Sequence, residues 1–409
     1  MKKILIFLFA VIAYNGNTQS LDQLKKDMYG IASDATGGRF TGSTGYLKAA
    51  RYVANNLKAV GIKTTFQPVP FIHDNYDGSS ITVRGKTYPH AGGNFVVLQH
   101  AAQSKGRWVV SNSMPDSVAE RSLRAKKVAG VILLPDSAQR SDWETAAIRQ
   151  YRFGYMHYKS DYTPRRQLLT CILVSPQIAA KIKSGYKPAV SIRYKQENIN
   201  GYNVIAKFPG TSKAIKNQTI IAGAHLDHIG KFGKHIYNGA NDDGSGCAAL
   251  LSAARMLAAN PTKRPLLFVF YCGEELNLLG SRYFMEHPPL PVKNILMNIN
   301  LEQLGSRHRS FHGIWAIGDK QFENDFRKSG TMFTGPDLKF TPADSLQDVL
   351  SNTDSYSFMK NGIPSLLLGS GGFDEHHSAK DKIDLIDFEH LQKASELLYQ
   401  LIKELGDNK

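Results

Sequence analysis

The sequences AHLDH at residues 224–228 and GANDDGSG at residues 239–246 decide how this chain folds. The first closes a short apolar run, residues 219–224, which predicts a buried strand. The second leads into an Ala/Leu-rich segment, residues 247–259, which predicts a helix. Histidine and carboxylate side chains therefore follow the end of a strand, where open α/β sheets place their ligand sites.

Three more apolar runs end close to side chains of the same two kinds. These predicted strands and the side chains that follow them are residues 266–272 with Glu274 and Glu275, residues 294–301 with Glu302, and residues 365–368 with His377. A structural zinc site usually takes cysteine pairs at short spacing. A catalytic zinc site gathers His, Asp and Glu from separate strands and leaves a position open for water. The scatter of these side chains therefore favours a catalytic metal site.

The adjacent glutamates Glu274 and Glu275 have a plain structural interpretation as well as a functional one. Adjacent glutamates are usually just solvated, because Glu is mostly exposed. Here the pair follows a largely apolar run, which favours one carboxylate as metal ligand and the other as proton acceptor. Asp227 lies two residues after His225, so in an extended backbone both point the same way and Asp227 is placed to orient the imidazole.

Five motifs in this order resemble the secreted co-catalytic zinc aminopeptidases, relatives of bacterial leucyl aminopeptidase, glutamate carboxypeptidase and glutaminyl cyclase. The motifs are H-x-D at residues 225–227, G-A-x-D-D-x-S-G at 239–246, E-E-x-G-L-x-G-S at 274–281, N-x-D-M-x-G at 300–305 and H-x-x-x-D at 377–381. Residues 37–43 and 202–206 also resemble the family. Departures from it include Asn277 for the usual glycine and Glu302 for the usual aspartate.

The resemblance implies two zinc ions and assigns their ligands. Asp242 bridges both ions, His225 and Glu302 complete the site of one, and Glu275 and His377 complete the site of the other. The extra methylene of Glu302 moves its carboxylate relative to an aspartate. We therefore expect the ion that Glu302 binds to be the weaker bound of the two.

The resemblance also implies the catalytic roles. Glu274 is the general base that deprotonates the water bridging the two metals, and the metals polarise the scissile carbonyl. His376 stands where many relatives have a tyrosine that assists the oxyanion, so we expect it to donate a hydrogen bond there. The peptide bond between Asp242 and Asp243 is expected to be cis, as in the family.

Length and patterning predict several segments in the 409 residues. We predict a signal peptide at 1–19, an N-terminal part of the catalytic domain at 20–74, an insert at 75–198 and the zinc peptidase core at 199–409. The expected fold is a three-layer α/β/α arrangement with a mixed, largely parallel central sheet. The insert is mainly β and resembles the protease-associated domain of relatives, the alternative being a set of loops that decorate the catalytic domain.

The first residues predict export. Lys2 and Lys3 precede an apolar run at residues 4–13, which is typical of a secretory signal and too short to span a membrane. The sequence leaves open whether the protein is periplasmic or extracellular. The net charge of +15 comes from dispersed Lys and Arg, so we predict no nucleic-acid partner. Cys247 and Cys272 are predicted to be small core residues.

Three functions are compatible with these patterns. The first is an exported aminopeptidase acting on peptides, and the second is a glutaminyl cyclase-type acyl transfer on the same fold. The H-x-D motif at 225–227 argues against the second, since the cyclases of the family use one zinc and typically lack it. The third is a non-catalytic peptide-binding relative, against which every ligand position still carries a metal-competent side chain. The preferred N-terminal residue, dipeptidase or carboxypeptidase action and the oligomeric state stay open.

Overall fold

The computed structural model describes residues 20–90, 93–101, 106–159, 169–306, 313–330, 337–370 and 373–408, so the predicted signal peptide lies outside the described residues. The helices are α1 (Leu21–Ala32), α2 (Thr44–Ala59), α3 (Ser117–Ala125), α4 (Ser137–Ser141), α5 (Trp143–Tyr155), α6 (Pro176–Lys183), α7 (Gly246–Ala259), α8 (Leu279–Glu286), α9 (Glu323–Ser329), α10 (Gln347–Leu350), α11 (Ser355–Met359) and α12 (Phe388–Asp407). Among these helices, none is both long enough and apolar enough to cross a lipid bilayer.

The strands in the part of the chain that the structure describes form four sheets. They are β1 (Lys63–Asn75), β2 (Ser80–Val83), β3 (Lys86–Pro89), β4 (Phe95–Gln99), β5 (Arg107–Ser111), β6 (Val128–Leu133), β7 (Met156–Tyr158), β8 (Thr170–Val174), β9 (Ala189–Ser191), β10 (Lys195–Phe208), β11 (Thr219–His225), β12 (Gly230–Phe232), β13 (His235–Tyr237), β14 (Leu266–Tyr271), β15 (Ile295–Glu302), β16 (Ile314–Gly318), β17 (Leu338–Pro342) and β18 (Ser365–Gly369).

The central sheet has nine strands in the order β17-β16-β18-β15-β11-β14-β10-β1-β7. The predicted α/β class with a mixed sheet is confirmed, but "largely parallel" describes only the middle of it. The pairs β18/β15, β15/β11, β11/β14 and β16/β17 are parallel, whereas β16/β18, β14/β10, β10/β1 and β1/β7 are antiparallel. The chain leaves the core along β1 and returns along β10, so these two neighbours have to run in opposite directions.

Helices cover both faces of this sheet, because successive side chains of its buried strands point to opposite sides. On β11, Ile220 and Ala222 pack into the core formed with α1, α2, α7 and α12. Ile221 packs on the other side with Phe284 of α8 and Phe358 of α11. Strands buried on both faces are continuous apolar runs. This explains why the apolar runs of the sequence identified the central strands.

The predicted insert contains two further sheets. Strands β4, β8, β6 and β5 form a four-stranded sheet, and β3, β2 and β9 form a three-stranded one. Phe95, Ile132 and Ile172 belong to a hydrophobic core that these strands share. The insert is joined to the rest of the chain by the β1/β10 ribbon, which pairs residues 63–75 with 195–207. Strand β7 pairs with β1 and so lies at the edge of the central sheet.

A buried ion pair anchors α1 to α7. Asp27 is fully buried, and the guanidinium of Arg255 donates to both of its carboxylate oxygens at 2.6 and 2.9 Å. The hydroxyl of Tyr52 on α2 also donates to Asp27, at 3.0 Å. Helices α1, α2 and α7 therefore meet around one satisfied carboxylate.

We expect Arg255→Met to lower the free energy of unfolding by about 3 kcal/mol, because it leaves the carboxylate of Asp27 buried without its counter-charge. The remaining donation from Tyr52 keeps the loss at the low end of the range for such pairs. Asp27→Leu combined with Arg255→Met should recover much of it, since both charges are then gone. Urea unfolding of the three proteins checks this, and a loss below about 1 kcal/mol in the single variant would contradict it.

Candidate metal centre

Parallel strands bring the predicted site residues to one edge of the sheet. β11 ends at His225, β15 ends at Glu302, and β14 leads through Gly273 into a short helical turn that begins at Glu274. Because β11 lies between β14 and β15 and is parallel to both, the three carboxyl ends lie side by side. The loop after β18 brings His377 to the same edge.

His225 forms the centre of one group of potential ligands. Its Nε2 lies 3.1 Å from Oδ1 of Asp242, 3.5 Å from Oε2 of Glu302 and 3.8 Å from Oε2 of Glu274. The Nδ1 of the same ring lies 3.1 Å from the backbone carbonyl of Asp227. The imidazole is fully buried, and each of its two nitrogens faces at least one neighbouring oxygen.

His377 forms the centre of a second group. Its Nε2 lies 3.2 Å from Oδ2 of Asp242 and 3.3 Å from Oε2 of Glu275. The two carboxylate oxygens of Asp242 therefore face two different histidines, one on each side. The imidazole nitrogens and carboxylate oxygens at this edge, taken in threes, lie within 4.8 Å of one another in the sets His225/Glu274/Glu302, His228/Asp242/Glu275 and Asp242/His376/His377. Such a donor set fits two zinc ions, since zinc takes imidazole nitrogen and carboxylate oxygen.

His376 also turns toward Asp242. Its Nε2 lies 3.0 Å from Oδ2 of Asp242, and its ring stacks on that of His377 with centroids 3.8 Å apart. His376 is the more exposed of the two side chains, at 43% against 35%. It contacts only Asp242 among the acidic side chains of the centre that the structure describes, whereas His377 also contacts Glu275.

His228 is a member of the centre that the sequence patterns did not single out. It is fully buried, and its Nδ1 lies 2.5 Å from Oε1 of Glu275 and 3.9 Å from Oδ2 of Asp242. Glu275 therefore turns one oxygen to His228 and the other to His377. The only signal for it was its place at the end of the AHLDH stretch, since nothing else distinguishes it among 13 histidines.

Asp227 departs from its predicted contact. Its carboxylate Oδ1 lies 3.9 Å from Nδ1 of His225, too far for a hydrogen bond, and instead accepts from the backbone N–H of Glu274 at 3.2 Å. The backbone carbonyl of Asp227 is what faces the imidazole. The alternation assumed by the prediction fails because β11 ends at His225. Asp227 thus links the end of β11 to the turn that carries Glu274.

The electrostatics of the centre follow from many carboxylates packed in a dry site. Burial, together with the charges of Glu302 and Glu275, raises the pKa of Glu274 well above its usual range, against the opposing effect of His225. Burial would also raise the pKa of Asp242, but hydrogen bonds from three histidines hold it well below its usual range. Burial lowers the pKa of His377, yet the carboxylates of Glu275 and Asp242 raise it to about 10. A bound cation would balance this concentration of negative charge.

The turn that carries Asp242 is held from several directions. The peptide bond between Asp242 and Asp243 is cis, as the resemblance implied. Oδ1 of Asp243 accepts from the backbone N–H of Gln303 at 3.0 Å, which ties the turn to the end of β15. The carboxylate of Asp381 accepts from the N–H groups of Asn241 and Asp242 at 2.8 and 3.1 Å. Burial raises the pKa of Asp381 to about 7.

A cleft of about 1370 Å³ opens onto these side chains. Its walls include the apolar side chains Met285, Ile317 and Leu367 of the central domain. Thr145 and Ile148 of α5, within the predicted insert, also line it. The metal centre is therefore accessible to a ligand that enters between the core and the insert.

Comparison with known proteins places this centre in a family. The model of peptidase family M28 matches residues 203–402. This segment is similar to peptidase family M28. It contains His225, Asp242, Glu274, Glu275, Glu302 and His377. The predicted enzyme class, a zinc metallopeptidase of the aminopeptidase type, is confirmed at the level of this family.

Relatives of the M28 segment agree with that assignment. Over 274 residues the chain is 25% identical to leucine aminopeptidase 1 of Sclerotinia sclerotiorum, which covers 62% of this chain and 68% of that protein. Over 200 residues it is 26% identical to aminopeptidase YwaD of Bacillus subtilis, covering 47% and 42% of the two chains. The fold resembles that of BSAP, a zinc aminopeptidase from Bacillus subtilis, with a TM-score of 0.66 at 16% identity over 95% of this chain and 96% of that one.

The different contacts of the two neighbouring histidines of the M28 centre predict different effects of their removal. His377→Ala should lose about one zinc equivalent, because His377 contacts both Asp242 and Glu275. His376→Ala should retain two equivalents, because among the described residues it removes one contact to a carboxylate, that of Asp242, and the stacking on His377. Zinc content of the purified variants, measured by atomic emission after gel filtration, checks this. Equal zinc loss in both variants would contradict the distinction.

Proposed function

We propose that this protein is an exported zinc aminopeptidase that removes N-terminal residues from peptides. The observation that carries the proposal is the carboxylate of Asp242, whose two oxygens face His225 and His377 at 3.1 and 3.2 Å. Each of these histidines has a second carboxylate beside it, Glu302 or Glu275. Two sets of one imidazole and two carboxylates that share one member suit two zinc ions.

The ligand roles follow from these contacts. Asp242, His225 and Glu302 would hold one ion, and Asp242, Glu275 and His377 would hold the other. When bound, the zinc ions polarise the scissile carbonyl and make the attacking water more acidic. The side chains of Glu275 and Asp242 are nearly fully buried, which suits metal ligands better than groups that contact a substrate.

Glu274 takes the role of general base. Its side chain is 13% exposed and lines the cleft, whereas that of Glu275 is 2% exposed. Its backbone N–H is bound by Asp227, which fixes the start of the turn. Glu274 accepts a proton from the attacking water and delivers it to the leaving amine. Burial raises the pKa of Glu274 above its usual range, which makes its carboxylate a stronger base.

Charge favours the N-terminal end of a peptide as the end that is bound. The carboxylates of Asp242, Glu274, Glu275 and Glu302 line the end of the cleft. A free α-ammonium group is attracted to such a site, whereas a C-terminal carboxylate is repelled. This argument supports aminopeptidase over carboxypeptidase action.

The insert and the first residues complete the proposal. Residues 75–198 would be a protease-associated-like domain, and α5 within it contributes Thr145 and Ile148 to the wall of the cleft. A wall at this position narrows the space beside the metal centre, which suits the end of a chain better than its middle. Export rests on the signal-like sequence at residues 1–19, with Lys2 and Lys3 before the apolar run.

The purified protein should release the chromophore from L-leucine p-nitroanilide. Removal of metal with a chelator should abolish hydrolysis, and added zinc should restore it, because attack and carbonyl polarisation both depend on the metals. A peptide with N-terminal glutamine should lose that residue as free glutamine, and formation of a cyclised N-terminus would indicate acyl transfer instead. Full hydrolysis by the metal-free protein would contradict the zinc assignment. No turnover of any peptide by the zinc-loaded protein would leave the non-catalytic function.

The adjacent glutamates should separate chemistry from metal binding. Glu274→Gln should retain zinc and lose turnover by on the order of 10²–10⁴-fold, as expected for a missing general base. Glu275→Gln should instead lose zinc, because an amide is a poor ligand and cannot supply the charge. The two substitutions change the same chemical group in neighbouring residues, so each serves as the control for the other. Identical zinc loss in both proteins would show that the roles are wrongly assigned.

A further inference from the structure

Arg39 lies far upstream of the M28 segment, yet its side chain lies beneath the metal centre. It is fully buried, and the acceptors of its guanidinium are backbone carbonyls. Nε donates to the carbonyl of Leu226 at 2.7 Å, Nη1 to that of Asn238, and Nη2 to those of Gly239 and Asp242 at 2.8 and 3.5 Å. One side chain thus joins the loop after β11 to the turn that carries Asp242.

The backbone of the same segment is fitted closely against the core. Gly38 has a φ of +74°, and a Cβ at this position would lie 2.4 Å from the carbonyl oxygens of Gly230 and Tyr237. The carbonyl of Arg39 accepts from the N–H of His228 at 3.3 Å. The segment therefore occupies one position against the β12–β13 hairpin, and Arg39 reaches its acceptors from there.

Thr41 connects the same segment to the turn that carries Glu274 and Glu275. It is buried, and its hydroxyl accepts from the N–H of Gly273 at 2.9 Å. Gly273 immediately precedes Glu274 and Glu275. Asp227 in turn accepts from the N–H of Glu274. Thr41 therefore ties the segment that contains Arg39 to the turn of the two glutamates.

We propose that Arg39 and Thr41 are positioning residues for the metal centre, which set its zinc affinity through the loops that carry His225, Asp242 and Glu275. The inference rests on the proposed function, since it presumes that these side chains bind zinc. Ligands from separate loops bind a small ion tightly only when their spacing is held before the ion arrives. The two residues supply that spacing from a part of the chain outside the segment that the family model matches.

The experiment compares zinc affinity in conservative variants of the full mature chain. Arg39→Lys keeps the charge but cannot reach carbonyls of both loops, and Thr41→Val keeps the shape but removes the hydroxyl. We expect each to weaken zinc binding by on the order of 10–100-fold, the usual cost of losing a group that orients metal ligands. Competition with a chromophoric zinc chelator measures the affinity, and circular dichroism shows that each protein is folded. Thr41→Ser, which restores the hydroxyl, should return the affinity toward that of the parent.

Arg264 provides a matched control. It is also a buried arginine that donates to backbone carbonyls, those of Leu405 and Asn408, but it lies just before β14, at the end of that strand away from the metal centre. Arg264→Lys should lower the melting temperature and leave zinc affinity unchanged. The inference is overturned if folded Arg39→Lys or Thr41→Val protein binds zinc as tightly as the parent. It is also overturned if Arg264→Lys weakens zinc binding to the same extent. If Arg39→Lys does not fold, the Thr41 pair decides the question, and a parent that binds no zinc overturns the proposed function along with the inference.

Discussion

The two-sided placement of the carboxylate of Asp242 is the constraint on which the rest of the site depends. One oxygen has to face His225 and the other His377, and these histidines lie far apart in the chain. A side chain on a free turn would rotate to satisfy one of them. Here Asp381 accepts from the backbone N–H of Asp242, and the guanidinium of Arg39 donates to carbonyls on the same turn. Both the backbone N–H groups and the backbone carbonyls of the turn are therefore held by hydrogen bonds.

The central sheet makes this arrangement possible. Parallel pairing of β14, β11 and β15 places three strand ends at one edge, so the loops there can share contacts. Burial of so many carboxylates is costly without cations. The raised pKa of Glu274 and the depressed pKa of Asp242 are two outcomes of that same crowding, which differ because Asp242 receives hydrogen bonds from histidines. The fold thus creates a site whose concentrated negative charge favours the binding of metal cations.

Much of this could be predicted from residue types and their spacing. The apolar runs before the predicted site residues form strands, and the side chains that follow these strands lie close together at one edge of the sheet. These side chains are those of His225, Glu274, Glu302 and His377. Apolar periodicity reports whether a strand is buried on both faces, so it located the core strands well. It does not report strand order or direction, which is why the antiparallel half of the sheet was not predicted.

The contacts that hold the site together were harder to predict, for a physical reason. Arg39 binds backbone carbonyls, which every residue offers, so its partners leave no pattern of residue types. His228 is held by Glu275, which is far away in the chain, and only the folded sheet brings them together. The backbone carbonyl of Asp227, and not its carboxylate, faces the imidazole of His225, because the prediction extended strand alternation two residues beyond the end of β11. Local patterns identify groups that bind metal, whereas the groups that hold them depend on tertiary structure.

We propose that Asp242 bridges two zinc ions, and diffraction at the zinc absorption edge would locate both of them. Crystals grown with zinc should give two anomalous peaks, one beside each carboxylate oxygen of Asp242, about 3.5–4 Å apart as in other two-metal sites. One peak should lie next to Nε2 of His225 and the other next to Nε2 of His377. A single peak, or two peaks that do not share Asp242, would contradict the account.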